Sequence, residues 1–518
     1  MIGGESRSHI AVSEIPGSPL VQERTPDPCV LVVFGALGDL TRKKIVPAIY
    51  NLMVDQALPA AFALIGLGRH QTSIADFRAG LRKSTGEASR RKPVEDQAWG
   101  RLADDLDFIF GTFEDPSVYT ALKEKLAALD ESRGTQGNRI FYLAAAPEFF
   151  PIIIQNLKRA GLIHKPASSA TEPYCRVIIE KPFGRDLASA QSLNAIVGDS
   201  LQESQIFRID HYLGKETVQN ILVFRLGNSL FEPLWNREHI DHVEITAAES
   251  IGVGTRGRFY DATGVLRDIV QNHLLQVLAL CAMEPPLSFG SNDIRDEKMR
   301  VFRSLRSITG EGVAAGVVGA QYDGYRKEAN VAADSRTPTY VAMKVMIDNW
   351  RWQGVPFYLR AGKRLAGQRT EVSIYFKTIP LCLFGQRESC QAMQPSVLTL
   401  RIQPEEGIAL GFVAKVPGNH LSVGNVRMNM SYADSFRKPT AGAYERLLLD
   451  CMRGDSTLFA RRDGVEQTWA FITPILESWE KDRRAPMPVY QPGSDGPEEA
   501  DALIRRDGHQ WTAIGGAQ

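Results

Sequence analysis

Cysteine is scarce in this sequence, and long apolar runs are absent. The 6 cysteines among 518 residues are too few for a disulfide framework and show no CxxC or other zinc-binding spacing. No apolar run approaches the roughly 18 to 20 residues that span a bilayer, and the N-terminus has no unbroken apolar signal segment. These absences predict a protein of the reducing cytoplasm, with no metal site and no membrane partner.

An excess of charge of one sign is also missing. Lys and Arg together number 60, and so do Asp and Glu, so no overall field draws the protein to nucleic acid and any anion site must be local. The 44% hydrophobic and 23% charged residues are ordinary for a globular protein and exclude a disordered, collagen-like or coiled-coil chain. The length predicts two large domains, preceded by a flexible tail at residues 1–27 that is rich in Ser, Pro, Gly and Glu.

Four continuously apolar segments divide the first part of the chain. They are VLVVF (30–34), AFALIGLG (61–68), RIFYLAAA (139–146) and RVIIEK (176–181). Such runs are typical of parallel strands that are buried on both faces, and helical stretches separate them. The helix predicted after the first strand places on one face Ile45, Ile49, Leu52 and Met53. The alternation predicts a doubly wound, Rossmann-like α/β domain over residues 28–200.

The pattern changes after about residue 200. The segments HVEITAAES (242–250), TYVAMKVMID (339–348) and LTLRIQ (398–403) alternate apolar with polar residues. Strands of an antiparallel sheet alternate in this way when one face is solvated or covered by helices. We therefore expect a larger α+β domain with an extended antiparallel sheet over residues 201–512. Residues 310–338, with five glycines, are predicted to form a loop within it.

A turn with two glycines, Gly35-Ala-Leu-Gly38-Asp-Leu, separates the first predicted strand from the helix. Unpaired N–H groups and the positive end of the helix dipole would meet a pyrophosphate there, although the pattern is equally compatible with a plain turn. A formal GxGxxG motif occurs at Gly252, Gly254 and Gly257. It follows an alternating strand and leads into RFYDATG, which does not resemble the start of an amphipathic helix, so we interpret it as an ordinary loop.

The end of the second predicted strand indicates which coenzyme would bind. In this type of domain an acidic residue there binds the ribose 2′-hydroxyl of NAD, but no Asp or Glu follows the strand until Asp76. Arg69 stands in its place, and its planar guanidinium suits a 2′-phosphate, which favours NADP. The alternative is that Arg69 is a solvated surface side chain.

Two clusters of titratable residues follow. If RIDHYLGKE is helical, His211 and Lys215 lie on one face, where they could hold a phosphate or form an ordinary solvated surface. In RDIVQNH, Asp268 and His273 stand among apolar residues and need partners. A single histidine in such a setting is more often a buried core residue than a catalytic one. Paired with a carboxylate from the first cluster, it is suited to act as a general base.

Six long motifs, in order along the chain, resemble the glucose-6-phosphate dehydrogenase family. They are GALGDLTRKK, EKPFGRDL, RIDHYLGKE, RDIVQNH, DNWRWQGVPFYLRAGKRL and YERLLLDCMRGD, and the resemblance extends from about residue 29 to 510. It implies a Rossmann-like domain and an α+β domain whose antiparallel sheet joins subunits into homodimers or homotetramers. It also implies oxidation of β-D-glucose 6-phosphate to 6-phospho-D-glucono-1,5-lactone with hydride transfer to NADP, the first oxidative step of the pentose phosphate pathway.

The same resemblance implies roles for individual residues. His273 would take the proton from the sugar C1 hydroxyl, and Asp210 would orient it. The residues implied at the substrate are Lys181, His211, Tyr212, Lys215, Glu249, Asp268 and Lys363. Those implied at the coenzyme are Gly35, Ala36, Gly38, Asp39, Leu40, Arg69 and Lys181. The resemblance also implies a cis peptide bond between Lys181 and Pro182.

Three positions depart from the family pattern. Leu37 replaces a Ser or Thr in the glycine turn, Asp495 replaces an aromatic residue, and Gln368 replaces a second base near Lys363, for which Arg369 is a candidate substitute. These departures motivate a second hypothesis, a catalytically weakened paralogue that senses coenzyme or binds a partner. A third hypothesis, a dehydrogenase of unphosphorylated or differently phosphorylated sugars, conflicts with the intact phosphate-site residues.

Overall fold

Two β-sheets, one of seven strands and one of nine, organise the part of the chain that the structure describes. The computed structural model describes residues 24–166, 173–381, 383, 393–420, 422–436, 440–482 and 486–515. Of the tail predicted at residues 1–27, only residues 24–27 lie within the described part.

The seven-stranded sheet is formed mainly by residues 29–209. Its strands are β1 (Cys29–Phe34), β2 (Phe62–Gly68), β3 (Leu106–Phe110), β4 (Arg139–Leu143), β5 (Cys175–Ile179), β6 (Ile206–Ile209) and a late addition, β15 (Phe459–Ala460). Their order is β15-β6-β5-β4-β1-β2-β3, and all pairs are parallel except β15 with β6. Every residue of β1, β2 and β4 is buried, which explains their continuously apolar sequences. The predicted doubly wound sheet is confirmed.

Helices cover both faces of this sheet. They are α1 (Val46–Val54), α2 (Ile74–Ala88), α3 (Asp96–Asp104), α4 (Pro116–Arg133), α5 (Phe150–Arg159) and α6 (Leu187–Ser200). A π-helical turn, Thr41–Ile45, leads into α1. Alternate residues of β1 belong to two separate apolar clusters, one on each face. The helix predicted after the first strand is present, with Ile45, Ile49 and Leu52 buried.

The nine-stranded sheet belongs to the second half of the chain. Its strands are β7 (Ile240–Ala248), β8 (Val317–Tyr322), β9 (Tyr340–Met346), β10 (Pro356–Gly362), β11 (Arg369–Phe376), β12 (Val397–Gln403), β13 (Gly407–Lys415), β14 (Val423–Ser431) and β16 (Val489–Tyr490). Their order is β14-β13-β12-β11-β7-β10-β9-β8-β16. Neighbours are antiparallel except β7 with β10 and β8 with β16. The expected antiparallel sheet is confirmed, with one parallel pair near its centre.

Nine further helices follow β6 within the described residues. They are α7 (Glu216–Leu226), α8 (Gly257–Val265), α9 (Leu275–Ala282), α10 (Ser291–Ser304), α11 (Glu311–Gly316), α12 (Tyr432–Phe436), α13 (Ala443–Arg453), α14 (Arg462–Lys481) and α15 (Glu498–Arg505). A π-helical segment, Leu266–Leu274, joins α8 to α9. Among the helices that the structure describes, none combines the length and apolar character needed to cross a bilayer.

Two local predictions for this half of the chain are wrong. Residues 310–338 are not one loop, because α11 and β8 lie within them. Gly319 marks close packing here, since a Cβ at this position would lie 2.9 Å from the Trp479 ring. RFYDATG does form a helix, α8. Its Gly257 also marks a close contact, because a Cβ there would lie 2.0 Å from the Ala329 carbonyl oxygen.

One apolar core joins the two sheets. The cluster that contains Val32 of β1 continues through Leu278 of α9 and Ile472 of α14 to Ile245 of β7 and Leu359 of β10. On the other face of the parallel sheet, α13 packs against β1 and α1. The parallel sheet extends past residue 200, where the sequence places a domain boundary, because β6 pairs with β5. The carboxyl ends of β4, β5 and β6 thereby face those of β7 and β10.

The turn after β1 requires glycine at position 35. Gly35 has a φ of +96°, and a Cβ here would lie 2.4 Å from the Ala144 carbonyl oxygen. We expect Gly35→Ala to lower the free energy of unfolding by about 1 to 3 kcal/mol, because the turn must move away from the strand ends. Denaturant unfolding measures the change. Gly80→Ala on α2, where a Cβ meets no atom within 4 Å, is the matched control. Equal midpoints for wild type and Gly35→Ala would contradict the prediction.

Candidate active site

A cavity of about 1100 Å³ lies between the two sheets. Residues that follow β4, β5 and β6 bound it on one side, and residues that follow β7 and β10 bound it on the other. Open α/β sheets hold their ligands at the carboxyl ends of the parallel strands. The sequence-predicted site residues that line the cavity are Asp39, Leu40, Lys181, His211, Tyr212, Lys215, Glu249, Asp268, His273 and Lys363. Those that do not line it are Gly35, Ala36, Gly38, Arg69 and Asp210.

His273 and Asp210 form a buried hydrogen-bonded pair. His273 lies in the π-helical segment before α9, Asp210 directly follows β6, and the Nδ1–Oδ1 distance is 2.5 Å. His273 is fully buried and Asp210 is 2% exposed. The Tyr212 ring stacks on the imidazole, with centroids 4.2 Å apart and planes 14° apart. The fold thus joins two clusters that are 63 positions apart in the sequence and fixes the orientation of the imidazole.

The Lys181 ammonium contacts Nε2, the other nitrogen of the His273 imidazole. Lys181 follows β5, its peptide bond to Pro182 is cis, and its Nζ lies 2.9 Å from His273 Nε2. The same ammonium donates to the backbone oxygen of Asp268 at 3.0 Å and to its Oδ1 at 3.1 Å. Because an ammonium only donates, Nε2 must accept, and the proton of a neutral His273 is therefore on Nδ1, facing Asp210.

Burial and charge together set the protonation states in this group. Burial, reinforced by the Lys181 ammonium, holds the pKa of His273 well below its usual value, so the imidazole is neutral at physiological pH. Burial opposes ionisation of Asp268, but Lys181 and Lys363 outweigh it and lower the pKa of that carboxyl to about 2. A neutral imidazole, whose Nε2 accepts from the Lys181 ammonium, therefore lies beside a firmly ionised carboxylate.

His211, Tyr212 and Lys215 lie on a turn between β6 and α7, so the helical arrangement considered for them is wrong. Asp210 Oδ1 accepts a hydrogen bond from the Tyr212 N–H at 3.0 Å, and a carboxylate that bonds the backbone two residues on favours a turn over a helix. Lys215 is the last residue before α7. The turn still brings these side chains to one wall of the cavity.

The Lys215 ammonium is held from two sides. It donates a hydrogen bond to Oε1 of Gln403 at the end of β12, and it lies 4.4 Å from the centroid of the Tyr212 ring. Burial lowers the pKa of Lys215 to about 8, so the side chain remains mainly charged at neutral pH. The ring of His211 lies 4.4 Å from that of His273. Burial, then His273 and Lys181, hold the pKa of His211 well below its usual value, so it presents a neutral N–H.

Glu249 and Lys363 face each other from two adjacent parallel strands. Glu249 follows β7, Lys363 follows β10, and their side chains form an ion pair. The Glu249 N–H donates to the Gly362 carbonyl at 2.9 Å, and the Lys363 N–H donates to the Thr339 carbonyl at 3.1 Å. The Lys363 ammonium also lies 5.1 Å from the Tyr260 ring. The sheet therefore presents a carboxylate and an ammonium side by side to the cavity.

The glycine turn packs closely on β2. A Cβ at Gly66 would lie 2.6 Å from the Ala36 Cβ, and a Cβ at Gly68 would lie 3.2 Å from the Leu37 side chain. The two glycines of β2 therefore leave room for the turn. Leu37, the departure noted in the sequence, is part-buried over Gly68, which gives it a packing role.

Several backbone groups of the turn are already bonded. The N–H groups of Gly35 and Ala36 donate to the Leu67 carbonyl at 3.0 and 2.9 Å, and that of Gly38 donates to the Gly35 carbonyl at 3.0 Å. The expectation of unpaired N–H groups is therefore wrong for these three, because the turn is closed against β2. Gly38 and Asp39 remain exposed at the start of the helix.

Arg69 directly follows β2, at the carboxyl end of the parallel sheet. Its side chain is exposed, and its guanidinium lies 5.3 Å from the centroid of the Phe149 ring. The exposed cation therefore lies over a partly buried aromatic ring.

The other two departures have clear positions. Gln368 lines the cavity. Arg369 does not take its place, because its guanidinium donates to the Ala513 carbonyl at 2.8 Å and lies 3.6 Å from Glu371. Asp495 accepts a hydrogen bond from the Ile514 N–H at 3.1 Å and so fastens the C-terminal segment.

Much of the cavity wall was not among the sequence-predicted site residues, and three parts of it lie near the predicted ones. Gln403 ends a predicted strand, and only the fold brings it to Lys215. Tyr444 stands within a recognised motif, and its ring is nearly parallel to that of His211, with centroids 6.3 Å apart. The loop interpreted as ordinary, which contains Gly252, contributes directly to the wall. A strand that ends in a polar residue was the one available signal for Gln403.

Comparisons with known proteins cover nearly the whole chain. A model described as the NAD binding domain of glucose-6-phosphate dehydrogenase matches residues 32–220, and one described as its C-terminal domain matches residues 222–512. The glucose-6-phosphate 1-dehydrogenase of Chlamydia pneumoniae is 45% identical over 499 residues, which cover 95% of this chain and 97% of that protein. Glucose-6-phosphate 1-dehydrogenase 2 of Mycobacterium tuberculosis H37Rv is 42% identical over 496 residues, covering 94% and 95%.

Solved structures agree with these sequence matches. Glucose-6-phosphate 1-dehydrogenase from Mycobacterium avium superposes with a TM-score of 0.81 at 37% identity, covering 94% of this chain and 98% of that chain. A glucose-6-phosphate dehydrogenase in complex with its substrate glucose-6-phosphate gives a TM-score of 0.85 at 30% identity, covering 95% and 100%. This chain therefore belongs to the glucose-6-phosphate dehydrogenase family.

Proposed function

We propose that this protein oxidises β-D-glucose 6-phosphate to 6-phospho-D-glucono-1,5-lactone and reduces NADP, the first oxidative step of the pentose phosphate pathway. The proposal rests on the buried pair of His273 and Asp210, whose imidazole lines the same cavity as the basic side chains of His211 and Lys215. Relatives of similar length bear the name of this activity, and a solved relative binds glucose 6-phosphate.

Oxidation at C1 removes a proton from the hydroxyl oxygen and a hydride from the carbon. His273 Nε2 takes the proton, and the electron pair left on oxygen forms the lactone carbonyl as the hydride departs. NADP, when bound, supplies the nicotinamide ring that accepts this hydride. Asp210 holds Nδ1–H, so that Nε2 presents its lone pair and the imidazolium that forms lies beside a carboxylate.

Lys181 must change partners during this reaction. Its ammonium occupies His273 Nε2, so the C1 hydroxyl has to displace it from that nitrogen. The bonds to Asp268 keep Lys181 close to the reacting oxygen after this exchange. A cation at that distance favours loss of the hydroxyl proton, because it stabilises the negative charge that develops on oxygen.

The turn after β6 supplies the phosphate site in this proposal. Lys215 contributes positive charge, while the neutral His211 and the Tyr212 hydroxyl donate hydrogen bonds. Burial raises the pKa of Tyr212 to about 12, so its hydroxyl keeps the proton that it donates. Gln403 orients the Lys215 ammonium through its Oε1.

The hydroxyl groups of the sugar would meet the opposite wall. Asp268 is an ionised acceptor there, and Glu249 forms an ion pair with Lys363, which can donate. A ligand that drew Lys181 or Lys363 away would leave its carboxylate without a partner unless the ligand could donate a hydrogen bond to it, so this wall favours a polyhydroxylated ring.

The coenzyme would bind at the carboxyl ends of the parallel strands. The residues proposed to contact it are Gly35, Ala36, Gly38, Asp39, Leu40, Arg69 and Lys181. The beginning of the helix at Asp39 favours a pyrophosphate, and the exposed Arg69 suits the 2′-phosphate of NADP. We assign coenzyme binding to residues 28–200 and substrate binding and dimerisation to residues 201–512, with Lys181 reaching across the boundary.

Assembly and location follow as further parts of the proposal. Exposed apolar side chains on β14, such as Val426 at 42% and Met428 at 46%, support a homodimer or homotetramer formed through the nine-stranded sheet. The four described cysteines are free and buried, which is consistent with a cytoplasmic location.

The first test of the proposal concerns the base. We expect His273→Ala to lower kcat by roughly 10² to 10⁴ while leaving the KM for glucose 6-phosphate within a few-fold, because a positioned general base acts on the chemical step. Asp210→Asn should also lower kcat, since the imidazole loses its orientation. Steady-state rates measure both, and the exposed His239→Ala is the control. Wild-type turnover in His273→Ala would remove the assignment.

Coenzyme choice provides the second test. We expect Arg69→Ala to raise the KM for NADP by about tenfold or more and the KM for NAD little, because charge-assisted hydrogen bonds contribute about 1.5 to 3 kcal/mol. The exposed Arg101→Ala on α3 is the matched control. Equal losses with both coenzymes would show that Arg69 serves the fold.

The third test separates a phosphate site from an ordinary polar surface. We expect Lys215→Ala to reduce kcat/KM for glucose 6-phosphate by at least about tenfold and to change the much slower reaction with glucose little, because glucose has no phosphate to lose. The ratio of the two kcat/KM values is the measurement, with the exposed Lys83→Ala as control. An unchanged ratio would reject Lys215 as a phosphate ligand.

A further inference from the structure

Two histidines and an aspartate meet on the nine-stranded sheet, away from the cavity. Asp241 and His242 belong to β7, and His509 belongs to the segment after α15. Asp241 Oδ2 lies 2.7 Å from His242 Nδ1 and 3.6 Å from His509 Nδ1. One ligand atom from each of the three side chains can be chosen so that all lie within 4.8 Å of one another. No other group of three or more such side chains meets this condition within the residues that the structure describes.

We propose that these three residues bind a divalent transition-metal ion, with Zn²⁺ as the best fit. Two imidazole nitrogens and one carboxylate oxygen form a donor set typical of Zn²⁺, with bonds of about 2.0 to 2.2 Å. Ligand atoms around such a tetrahedral ion are roughly 3 Å apart, and the two measured distances lie on either side of that value. Mg²⁺ and Ca²⁺ prefer oxygen ligands alone, so the nitrogen donors disfavour them.

Two buried atoms behind His242 support the assignment. His242 Nε2 and Glu244 Oε1 lie 3.8 Å apart, and each is buried without a hydrogen-bond partner. A histidine that binds a metal through one nitrogen nearly always donates its other N–H to a carboxylate or carbonyl. With an ion on Nδ1, the His242 proton moves to Nε2, where Glu244 is its natural acceptor. The ion would thereby give a hydrogen bond to two buried atoms, His242 Nε2 and Glu244 Oε1, that otherwise lack one.

Binding requires a small movement of His509. The rings of His242 and His509 are stacked, with centroids 4.0 Å apart and planes 29° apart, so one ion cannot lie in both ring planes as they stand. The His509 side chain is 20% exposed and follows Gly508, and we infer that its ring turns toward Asp241 when the ion binds. Asp241 is 41% exposed, which leaves a side of the ion open to water.

The ion would fasten the C-terminal segment to the sheet. That segment is held to the sheet by the Thr512 N–H, which donates to Glu244 Oε2 at 3.0 Å, and by the carbonyls of Thr512 and Ala513, which accept from Arg360 and Arg369. Coordination by His509 would add a direct link to β7. We therefore expect metal binding to raise the thermal stability of the protein, independently of its dehydrogenase activity.

The experiment uses the full chain, without an affinity tag and stripped of metal by a chelator. Zn²⁺ binding is measured by calorimetry and by the shift of the unfolding midpoint, for wild type, His509→Gln, Asp241→Asn and the exposed control His239→Gln. We expect one Zn²⁺ per chain and a raised midpoint in wild type and in His239→Gln. In His509→Gln and Asp241→Asn the dissociation constant should rise at least about tenfold, and the shift should be lost.

A spectroscopic measurement distinguishes this site from the cysteines. Bound Co²⁺ should give the visible absorption of a tetrahedral complex without the near-ultraviolet charge-transfer band of a thiolate ligand. Each variant is compared with wild type only if its metal-free unfolding midpoint is unchanged, and Asp241→Asn provides the second variant. Absence of Zn²⁺ binding in wild type, equal binding in wild type and both variants, or a thiolate band would overturn the proposal.

Discussion

The hydrogen bond between His273 and Asp210 depends on the meeting of two separate sheets. Asp210 extends from the last parallel strand, whereas His273 lies on the helical segment that packs between the sheets. A buried imidazole and a buried carboxylate are each costly without a partner, so the pair ties the position of one sheet to that of the other. Tyr212 and Lys181 then restrict the imidazole from its face and from its second nitrogen.

Three lysines that line the cavity are bonded to neighbouring side chains before any substrate arrives. Lys181 bonds Asp268, Lys363 bonds Glu249, and Lys215 bonds Gln403. An anionic sugar must therefore exchange partners with these three lysines. Such exchange limits the net gain in affinity but holds each side chain in the orientation that recognition needs. The neutral overall composition is compatible with this arrangement, because the anion site is built locally.

The sequence predicts the parallel sheet well because its strands are buried on both faces and read as unbroken apolar runs. It also predicts that His273 and Asp268 have polar partners, since titratable residues that stand among apolar ones need them. The turn at residues 211–215 is not predicted, because residue spacing alone cannot show that the Asp210 carboxylate accepts from the Tyr212 N–H. The loops predicted around Gly319 and Gly257 are wrong for another reason. In a sequence, glycines that allow close packing cannot be told from glycines that form loops. The sequence does not predict roles for Gln403 and His509, because their partners lie far away along the chain.

The seven-stranded sheet is completed by elements that are synthesised late. Strand β15 adds to the edge of β6, where the Phe459 ring packs against Phe207 with centroids 4.9 Å apart, and α13 covers one face of the sheet. These pieces leave the ribosome long after residues 29–209. Until then the nascent coenzyme domain exposes an unpaired strand edge and an apolar face, both of which favour aggregation. The two halves of the chain therefore cannot mature as independent units, and the first half to be made is completed by the second.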